Sequence, residues 1–356
     1  MIPRLLRLAT AAAAVVALTV GCSSGGGTDA PAAQAPTGDT FPVTVAHKLG
    51  STVIPAAPQR VVTVGLRDHD FVLALGVKPV GVAEWYPELK GGIGPWAREA
   101  MGPENPPVVA TIDAVNIEAV AAQSPDLIIS VYGAADKAVY DKLSQIAPTV
   151  AAPEGTEDYA LSWQQELDQV GKALGRSAQA RTLTADTERK LADAKAAHPE
   201  FAGKSAIYGG LGGEPGAYTS TDQRGRFLTS LGFRIPESVD KLATAEEAYF
   251  VGISKENYRE FDTDVAVLIG DTADPAAAVR AEPLYGRLAN VTQGRALFLD
   301  ELNGAWSAAL SYDSPLSLPY VVDGFVPALG AAADGNPATA VPAEPSLATA
   351  NAANAG

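Results

Sequence analysis

Aromatic and arginine side chains recur directly after the predicted strands of this 356-residue chain. In an open parallel sheet, ligands bind beyond the carboxyl ends of the strands. Rings offer contact area with a polar handle, and arginine pairs with anionic oxygens through forked hydrogen bonds. The pattern predicts a site for a large, flat, partly apolar chelate, with packing in the core as the competing interpretation for each ring. The candidate ligand contacts are Arg67, Trp85, Tyr86, Trp96, Tyr132, Tyr208, Tyr218, Arg224, Tyr249 and Trp306.

The chain carries no catalytic motif. It lacks a G-x-S-x-G elbow, a Walker pattern and an H-E-x-x-H pair, so we expect a binding protein and not an enzyme. The three histidines, His47, His69 and His198, do not show metal-ligand spacing, and we predict no protein-bound metal. His69 is expected on the surface at the start of a helix. An exported hydrolase has the least support, because no positioned histidine is available to activate a serine.

The charge of the chain excludes several partners. The formal net charge is -15, so the chain as a whole does not attract nucleic acid or anionic lipid. A strongly anionic ligand would need local arginines, since the overall field opposes it.

The N-terminal segment reads as an export signal. A basic start and an apolar run from Leu8 to Val20 precede Gly21-Cys22, and this predicts a signal peptide over residues 1–21. The stretch before Cys22 resembles a bacterial lipobox, although Thr19 stands where leucine is preferred. That resemblance implies lipidation of Cys22. Residues 22–40 are rich in Gly, Ser, Pro and Ala and predict a flexible tether. We therefore expect a lipid-anchored protein on the extracytoplasmic face of the cell membrane.

Strand and helix patterns alternate on both sides of one long polar helix. Continuous apolar strands followed by helices predict an α/β fold with parallel sheets over residues 41–176 and again over 199–330. Residues 177–198 form a helical pattern with a thin apolar face, which is typical of a helix that bridges two bodies. Residues 331–356 are rich in Ala, Pro, Asn and Gly and predict a disordered tail.

One unit occurs on both sides of this helix. Asn116 and Ser254 each stand two residues before a glutamate, Glu118 or Glu256, and an apolar strand follows. An acid in the first turn of a helix stabilises it by up to about 1 kcal/mol through the macrodipole, which is the simpler interpretation. The symmetry favours matched contact points for a two-fold partner.

These pieces together resemble a known family. The matching stretches are PQRVVTVG with DHDFVLALGVKPVGV, NIEAV with PDLII, LTSLGFRIPES, ISKEN with TDVAVLI, PLYGRLANVTQGRALFLD and the last helix. They are similar, over almost the whole chain from residue 41, to the periplasmic-binding-protein-like receptors of ABC importers for ferric siderophores, haem or vitamin B12.

The resemblance implies two Rossmann-like lobes with mostly parallel sheets, joined by one long interdomain α-helix. It implies a monomer that binds an iron chelate in the cleft between its lobes, holds no intrinsic cofactor, and docks on permease subunits through Glu118 and Glu256. A ferric siderophore is the leading ligand. Haem or corrinoid binding is an alternative, as is a receptor-fold scaffold protein without a transport partner.

Overall fold

A computed structural model describes residues 38–133, 136–210, 215–244, 248–272 and 274–353. The predicted signal peptide, Cys22 and most of the predicted tether lie outside these residues. No helix of the described part is long and apolar enough to cross a membrane.

The elements before the long helix form the first lobe. Its strands are β1 (Val43–His47), β2 (Gly50–Ile54), β3 (Val61–Thr63), β4 (Val82–Glu84), β5 (Val108–Thr111), β6 (Leu127–Ser130) and β7 (Thr149–Ala151). Its helices are α1 (Asp68–Ala74), α2 (Arg98–Met101), α3 (Ile117–Ala122), α4 (Lys137–Leu143) and α5 (Trp163–Ala173), with 3-10 turns at Lys90–Gly92 and Pro95–Ala97.

The first lobe is built on parallel strands. β3, β6 and β7 pair in parallel, as do β4 and β5, and a parallel bridge from Val62 to Gly81 links the two groups. The apolar run that begins at Val61 is buried from both sides, as expected for a strand covered by helices. β1 and β2 form an antiparallel hairpin.

The long helix is α6, Ser177–Ala197, and it packs against α5 of the first lobe and a helix of the second. Its buried residues are Ala180, Thr187, Leu191 and Ala194, so only a narrow stripe touches protein. Ser177 begins the helix instead of capping it, and its hydroxyl donates to Asp39 Oδ2 at 2.5 Å.

The elements after α6 form the second lobe. Its strands are β8 (Ala206–Gly210), β9 (Gly216–Tyr218), β10 (Phe250–Gly252), β11 (Val265–Gly270) and β12 (Ala296–Asp300), in the order β10-β9-β8-β11-β12. Its helices are α7 (Gln223–Ser230), α8 (Glu237–Asp240), α9 (Pro275–Ala281), α10 (Ala289–Thr292), α11 (Ala305–Tyr312), α12 (Ser317–Ala333) and α13 (Leu347–Ala353), with 3-10 turns at Pro199–Phe201, Lys255–Phe261 and Tyr285–Arg287. β8, β11 and β12 run parallel, and β9 and β10 extend the sheet antiparallel.

The C-terminal segment is folded where composition predicted disorder from residue 331. Its first residues complete α12, and α13 follows. The carboxylate of Glu344 accepts hydrogen bonds from the backbone N–H groups of Asp300 (2.8 Å) and Ser307 (2.6 Å). Leu347 is buried against residues of both lobes. The prediction was wrong because these tertiary contacts supply the partners that the composition of the segment does not reveal.

Candidate functional site

A cavity lies at the carboxyl ends of the parallel strands in each lobe. In the first lobe a cavity of about 200 Å³ is lined by residues that follow β3, β5, β6 and β7. In the second lobe a cavity of about 250 Å³ is lined by residues that follow β8, β11 and β12. Tyr132 lines the first cavity and Tyr218 the second. Both cavities occupy the edge at which open α/β sheets bind ligands.

An aromatic cluster stands between the lobes. We use this name for Trp85, Tyr86, Trp96 and Tyr132 of the first lobe together with Tyr312 and Tyr320 of the second. The Trp85 ring lies 5.7 Å from that of Tyr86, 5.9 Å from Tyr132 and 5.8 Å from Tyr312. The Trp96 ring lies 5.1 Å from Tyr312. The structure thus brings together four of the sequence-predicted rings, and two rings that the sequence did not single out complete the group.

Tyrosine hydroxyl groups form hydrogen bonds between the two lobes across this cluster. Tyr86 Oη donates to Ser311 Oγ at 2.8 Å, and Tyr132 Oη lies 3.1 Å from Gln223 Oε1. In the opposite direction Tyr312 Oη donates to the carbonyl of Gly92 at 3.0 Å. Each bond joins a residue of one lobe to a residue of the other, so the described conformation is closed.

Asp70 forms a further link between the lobes. Its Oδ2 accepts from Trp96 Nε1 at 2.7 Å within the first lobe and from Ser314 Oγ at 2.7 Å in the second. Burial raises the pKa of Asp70 to about 7, and the two hydrogen bonds only partly oppose this shift.

Arg67 lies at the centre of the first lobe's edge and is fully buried. Its Nε donates to Glu166 Oε2 at 2.9 Å, its Nη2 donates to the carbonyl of Leu161 at 3.0 Å, and its guanidinium lies 3.7 Å from the Tyr132 ring centre. Burial is the largest effect and opposes the charge, but Glu166, Tyr132 and Asp313 together outweigh it, and the pKa of Arg67 is raised. Asp313 of the second lobe lies 3.7 Å from Arg67 Nη1.

Asp68 explains why Arg67 and Tyr132 meet. Its carboxylate accepts backbone N–H bonds from Val131 (2.8 Å) and Tyr132 (2.9 Å) and one from Gly65 (3.1 Å). These bonds hold the ends of β3 and β6 together. Gly65 must be glycine here, since a Cβ atom would lie 2.2 Å from Asp68 Oδ2.

Arg224 is the corresponding cation of the second lobe. Its Nη2 donates to Ser311 Oγ at 2.7 Å, its Nη1 lies 3.3 Å from Asp222 Oδ1, and the guanidinium lies 4.2 Å from the Tyr218 ring centre. Burial is the largest effect and opposes its charge, but Tyr218, Asp222, Tyr208 and Tyr86 together outweigh it and raise the pKa of Arg224 well above its usual value.

Three predicted contacts lie away from the aromatic cluster. Trp306 is buried within α11 and packs on Phe325, with 5.6 Å between ring centres. It is a core residue because α11 begins at Ala305, where the sequence suggested a loop. Tyr208 is buried with its ring 5.6 Å from that of Tyr218. Tyr249 is half-buried beside β10, and its carbonyl accepts from Thr219.

The two repeated glutamates are exposed, but their settings differ. Glu118 lies in the first turn of α3, where Asn116 is the N-cap and its Oδ1 accepts from Ala119 N at 3.0 Å. Glu256 lies in the 3-10 turn Lys255–Phe261. Hydrogen bonds from its own backbone N–H and from the Ser254 hydroxyl lower its pKa.

His69 is fully buried, which contradicts the surface position predicted from its place at a helix start. Its Nε2 lies 2.8 Å from the carbonyl of Gly92, and burial lowers its pKa to about 4. The loop over residues 84–107 folds back over α1 and covers the ring. In the described part of the chain, no group of three His, Cys, Asp or Glu residues is arranged to hold a metal ion.

Sequence reasoning missed the polar partners of this site. Glu166 was detectable in principle, because it lies three residues after Trp163 and four before Val170 on the otherwise apolar face of α5. A charge in such a stripe signals a buried ion pair. The sequence carried no comparable signal for the remaining polar partners, which other elements contribute to the site. These partners are Asp68, Asp70, Gln223, Ser311 and Asp313.

Two α/β lobes, each with a cavity at its strand ends and in contact through an aromatic cluster, have the arrangement of a solute-binding protein. The chain belongs to the periplasmic binding protein family, whose pattern matches residues 61–301. It is 30% identical over 283 residues to the probable siderophore-binding lipoprotein YfiY of Bacillus subtilis, a match that covers 75% of this chain and 82% of that protein. The predicted family is therefore confirmed.

Solved structures agree with this assignment. A periplasmic solute binding protein from Mycobacterium smegmatis matches with a TM-score of 0.72 and 30% identity, over 82% of this chain and 98% of that one. Streptococcus pneumoniae PiaA in complex with ferrichrome matches with a TM-score of 0.69 and 27% identity, over 83% of this chain and 99% of that one. The predicted fold of two mostly parallel lobes is confirmed.

Proposed function

We propose that this protein is a receptor that binds a ferric siderophore between its two lobes and delivers it to an ABC importer. The proposal rests mainly on the closed contact between the lobes, where the strand-end cavity of each lobe flanks the aromatic cluster. Flat rings with hydroxyl and indole N–H groups suit a chelate that is apolar outside and polar at its metal-binding oxygens. The siderophore-related names of similar proteins support the same ligand class.

The receptor carries out no reaction on its ligand. The siderophore keeps the iron, and the protein supplies shape, rings and hydrogen bonds. The charged groups around Arg67 are tied to one another, which suits a rigid framework for binding.

Fluorescence titration of the purified protein tests the ligand class. Two of its four tryptophans, Trp85 and Trp96, belong to the aromatic cluster. A ferric siderophore should quench emission in a saturable manner, whereas the iron-free siderophore should do so far less. Haem is the contrasting ligand: tight haem binding without siderophore binding would overturn the proposal, as would no response to any ferric siderophore.

We further propose that the receptor is anchored through Cys22 and docks on its permease through Glu118 and Glu256. Lipoprotein relatives support the anchor, and the exposure of both glutamates leaves them available to a partner. Replacing both with alanine should abolish uptake of a radiolabelled ferric siderophore by cells while leaving its affinity for the purified protein unchanged. Unchanged uptake by the double variant would refute the docking role and favour a scaffold protein.

A further inference from the structure

The arginines at the cleft are already neutralised by carboxylates of their own lobes. Arg67 is bound by Glu166 and the Leu161 carbonyl, both of the first lobe. Arg224 is bound by Asp222 and Ser311, both of the second. Opening of the lobes would separate Arg67 from Asp313 of the second lobe, but the bonds of Arg67 to Glu166 and Leu161 lie within one lobe and would remain. The bonds of Arg224 to Asp222 and Ser311 would remain for the same reason.

Arg226 is the third arginine between the lobes, and its guanidinium is likewise already bound by groups of the protein. Its guanidinium donates to the Thr221 carbonyl within its own lobe and lies 3.7 Å from Asp313 Oδ2. A contact of 3.4 Å to the Leu161 carbonyl reaches the other lobe. Its charge is offset by Asp313, which also lies beside Arg67.

The cavity walls carry carboxylates and no basic side chain among the described residues. Asp113 and Asp136 line the first-lobe cavity, and Asp271 and Glu301 line that of the second. Asp271 and Glu301 form no ion pair within the described ranges. Burial raises the pKa of Glu301, the charge of Arg224 opposes this shift, and Asp271 adds to it.

The charge of a ferric chelate depends on its metal-binding groups. Three monoanionic hydroxamates neutralise Fe(III), so a tris-hydroxamate chelate is neutral and becomes cationic if it carries an amine. Three dianionic catecholates leave a net charge of minus three. Moving such an anion from water into a partly buried cleft removes its hydration, and without unpaired cations no protein group compensates for that loss. Nearby carboxylates also repel the anion.

We infer that the cleft selects ferric chelates of zero or positive charge, of the hydroxamate class, over trianionic tris-catecholate chelates. This inference rests on the proposed function and assigns its substrate class. Phe250, which lines the second cavity beside Asp271 and Glu301, adds a ring that favours a cation.

Calorimetric titration of the purified protein with three iron(III) complexes tests the charge rule. The probes are the complexes of desferrioxamine B, which is cationic, of its N-acetyl derivative, which is neutral, and of enterobactin, which is trianionic. We expect both hydroxamate complexes to bind at least a hundredfold more tightly than ferric enterobactin. Equal or tighter binding of ferric enterobactin would overturn the charge rule and leave the receptor function standing, whereas no binding of any ferric chelate would refute the receptor function itself.

A pair of double variants tests whether the cavity carboxylates set the preference. Asp271→Asn with Glu301→Gln should weaken binding of the cationic complex about tenfold relative to the neutral one. Glu118→Gln with Glu256→Gln removes the same formal charge at exposed positions and should leave that ratio unchanged. Equal ratios in the two double variants would overturn the role of the cavity carboxylates.

Discussion

The two lobes each present an arginine beside a tyrosine ring, but the two arginines differ in their exposure. Arg67 lies 3.7 Å from the Tyr132 ring centre and has no exposed surface. Arg224 lies 4.2 Å from the Tyr218 ring centre and keeps 11% of its side chain exposed. The first lobe thus uses its cation as framework, while that of the second is partly exposed beside Tyr218, a wall residue of the second cavity. We expect substitutions of Arg67 to affect folding and substitutions of Arg224 to affect binding.

Replacing Arg67 with methionine should produce the largest effect. The change leaves Glu166 buried without its cation, and breaking a buried pair by removing one partner costs up to about 5 kcal/mol of unfolding free energy. Urea unfolding measures the loss. A double variant with Glu166→Leu should recover much of it, because no unpaired charge remains. A loss below about 1 kcal/mol for Arg67→Met would contradict the framework role.

The Asp70 link should make stability depend on pH. Its folded pKa of about 7 lies above the ordinary aspartate value, so the folded state favours the protonated form. The stabilisation is fully present below about pH 4 and is lost as pH rises through 7. Asp70→Asn cannot ionise and should gain up to about 4 kcal/mol relative to the native protein between pH 4 and 8. Chemical unfolding across this range checks the trend; a pH-independent difference would refute it.

The C-terminal helix should stabilise the junction of both lobes. Leu347 packs with Tyr86 and Leu89 of the first lobe and with Ala305 and Ala308 of the second. Leu347→Ala should lower the unfolding free energy by about 2 kcal/mol.

Leu302 provides the matched control for this substitution, because 49% of its surface is exposed. Leu302→Ala should change stability by less than about 0.5 kcal/mol. Equal losses for the two leucines would show that the C-terminal helix does not hold the lobes.

Replacing Arg224 with lysine should produce the smallest effect and tests the contrast between the two arginines. Arg224→Lys keeps the charge but cannot bind Ser311 and Asp222 through one fork, so the edge of the cavity should lose its geometry. We expect about a tenfold weaker affinity for a ferric siderophore, about 1.4 kcal/mol, with a smaller change in stability. Loss of stability with full affinity would reverse the assignment of the two arginines.

The sequence predicted the architecture well because its signals are local. Strands such as β3 and β11 are buried on both faces, so they must be continuous apolar runs that are visible without a structure. The α6 stripe is readable for the same reason, since its periodicity depends on one helix alone.

Features that depend on distant contacts could not be predicted. His69 is buried by a loop that begins fifteen residues later, and Trp306 enters the core because α11 forms where the sequence suggested a loop. The C-terminal helix is ordered by partners on both lobes. Pairs such as Tyr86 with Ser311 join residues 225 positions apart, and no local sequence pattern predicts them.

Comparison of two tryptophan variants tests most directly whether the ligand binds between the lobes. Trp85 stands in the aromatic cluster, whereas Trp163 is buried in the core of the first lobe. During titration with the iron(III) complex of desferrioxamine B, Trp85→Phe should lose much of the saturable quenching and bind several-fold more weakly, and Trp163→Phe should retain both signal and affinity. Full quenching and unchanged affinity in Trp85→Phe would contradict a binding site between the two lobes.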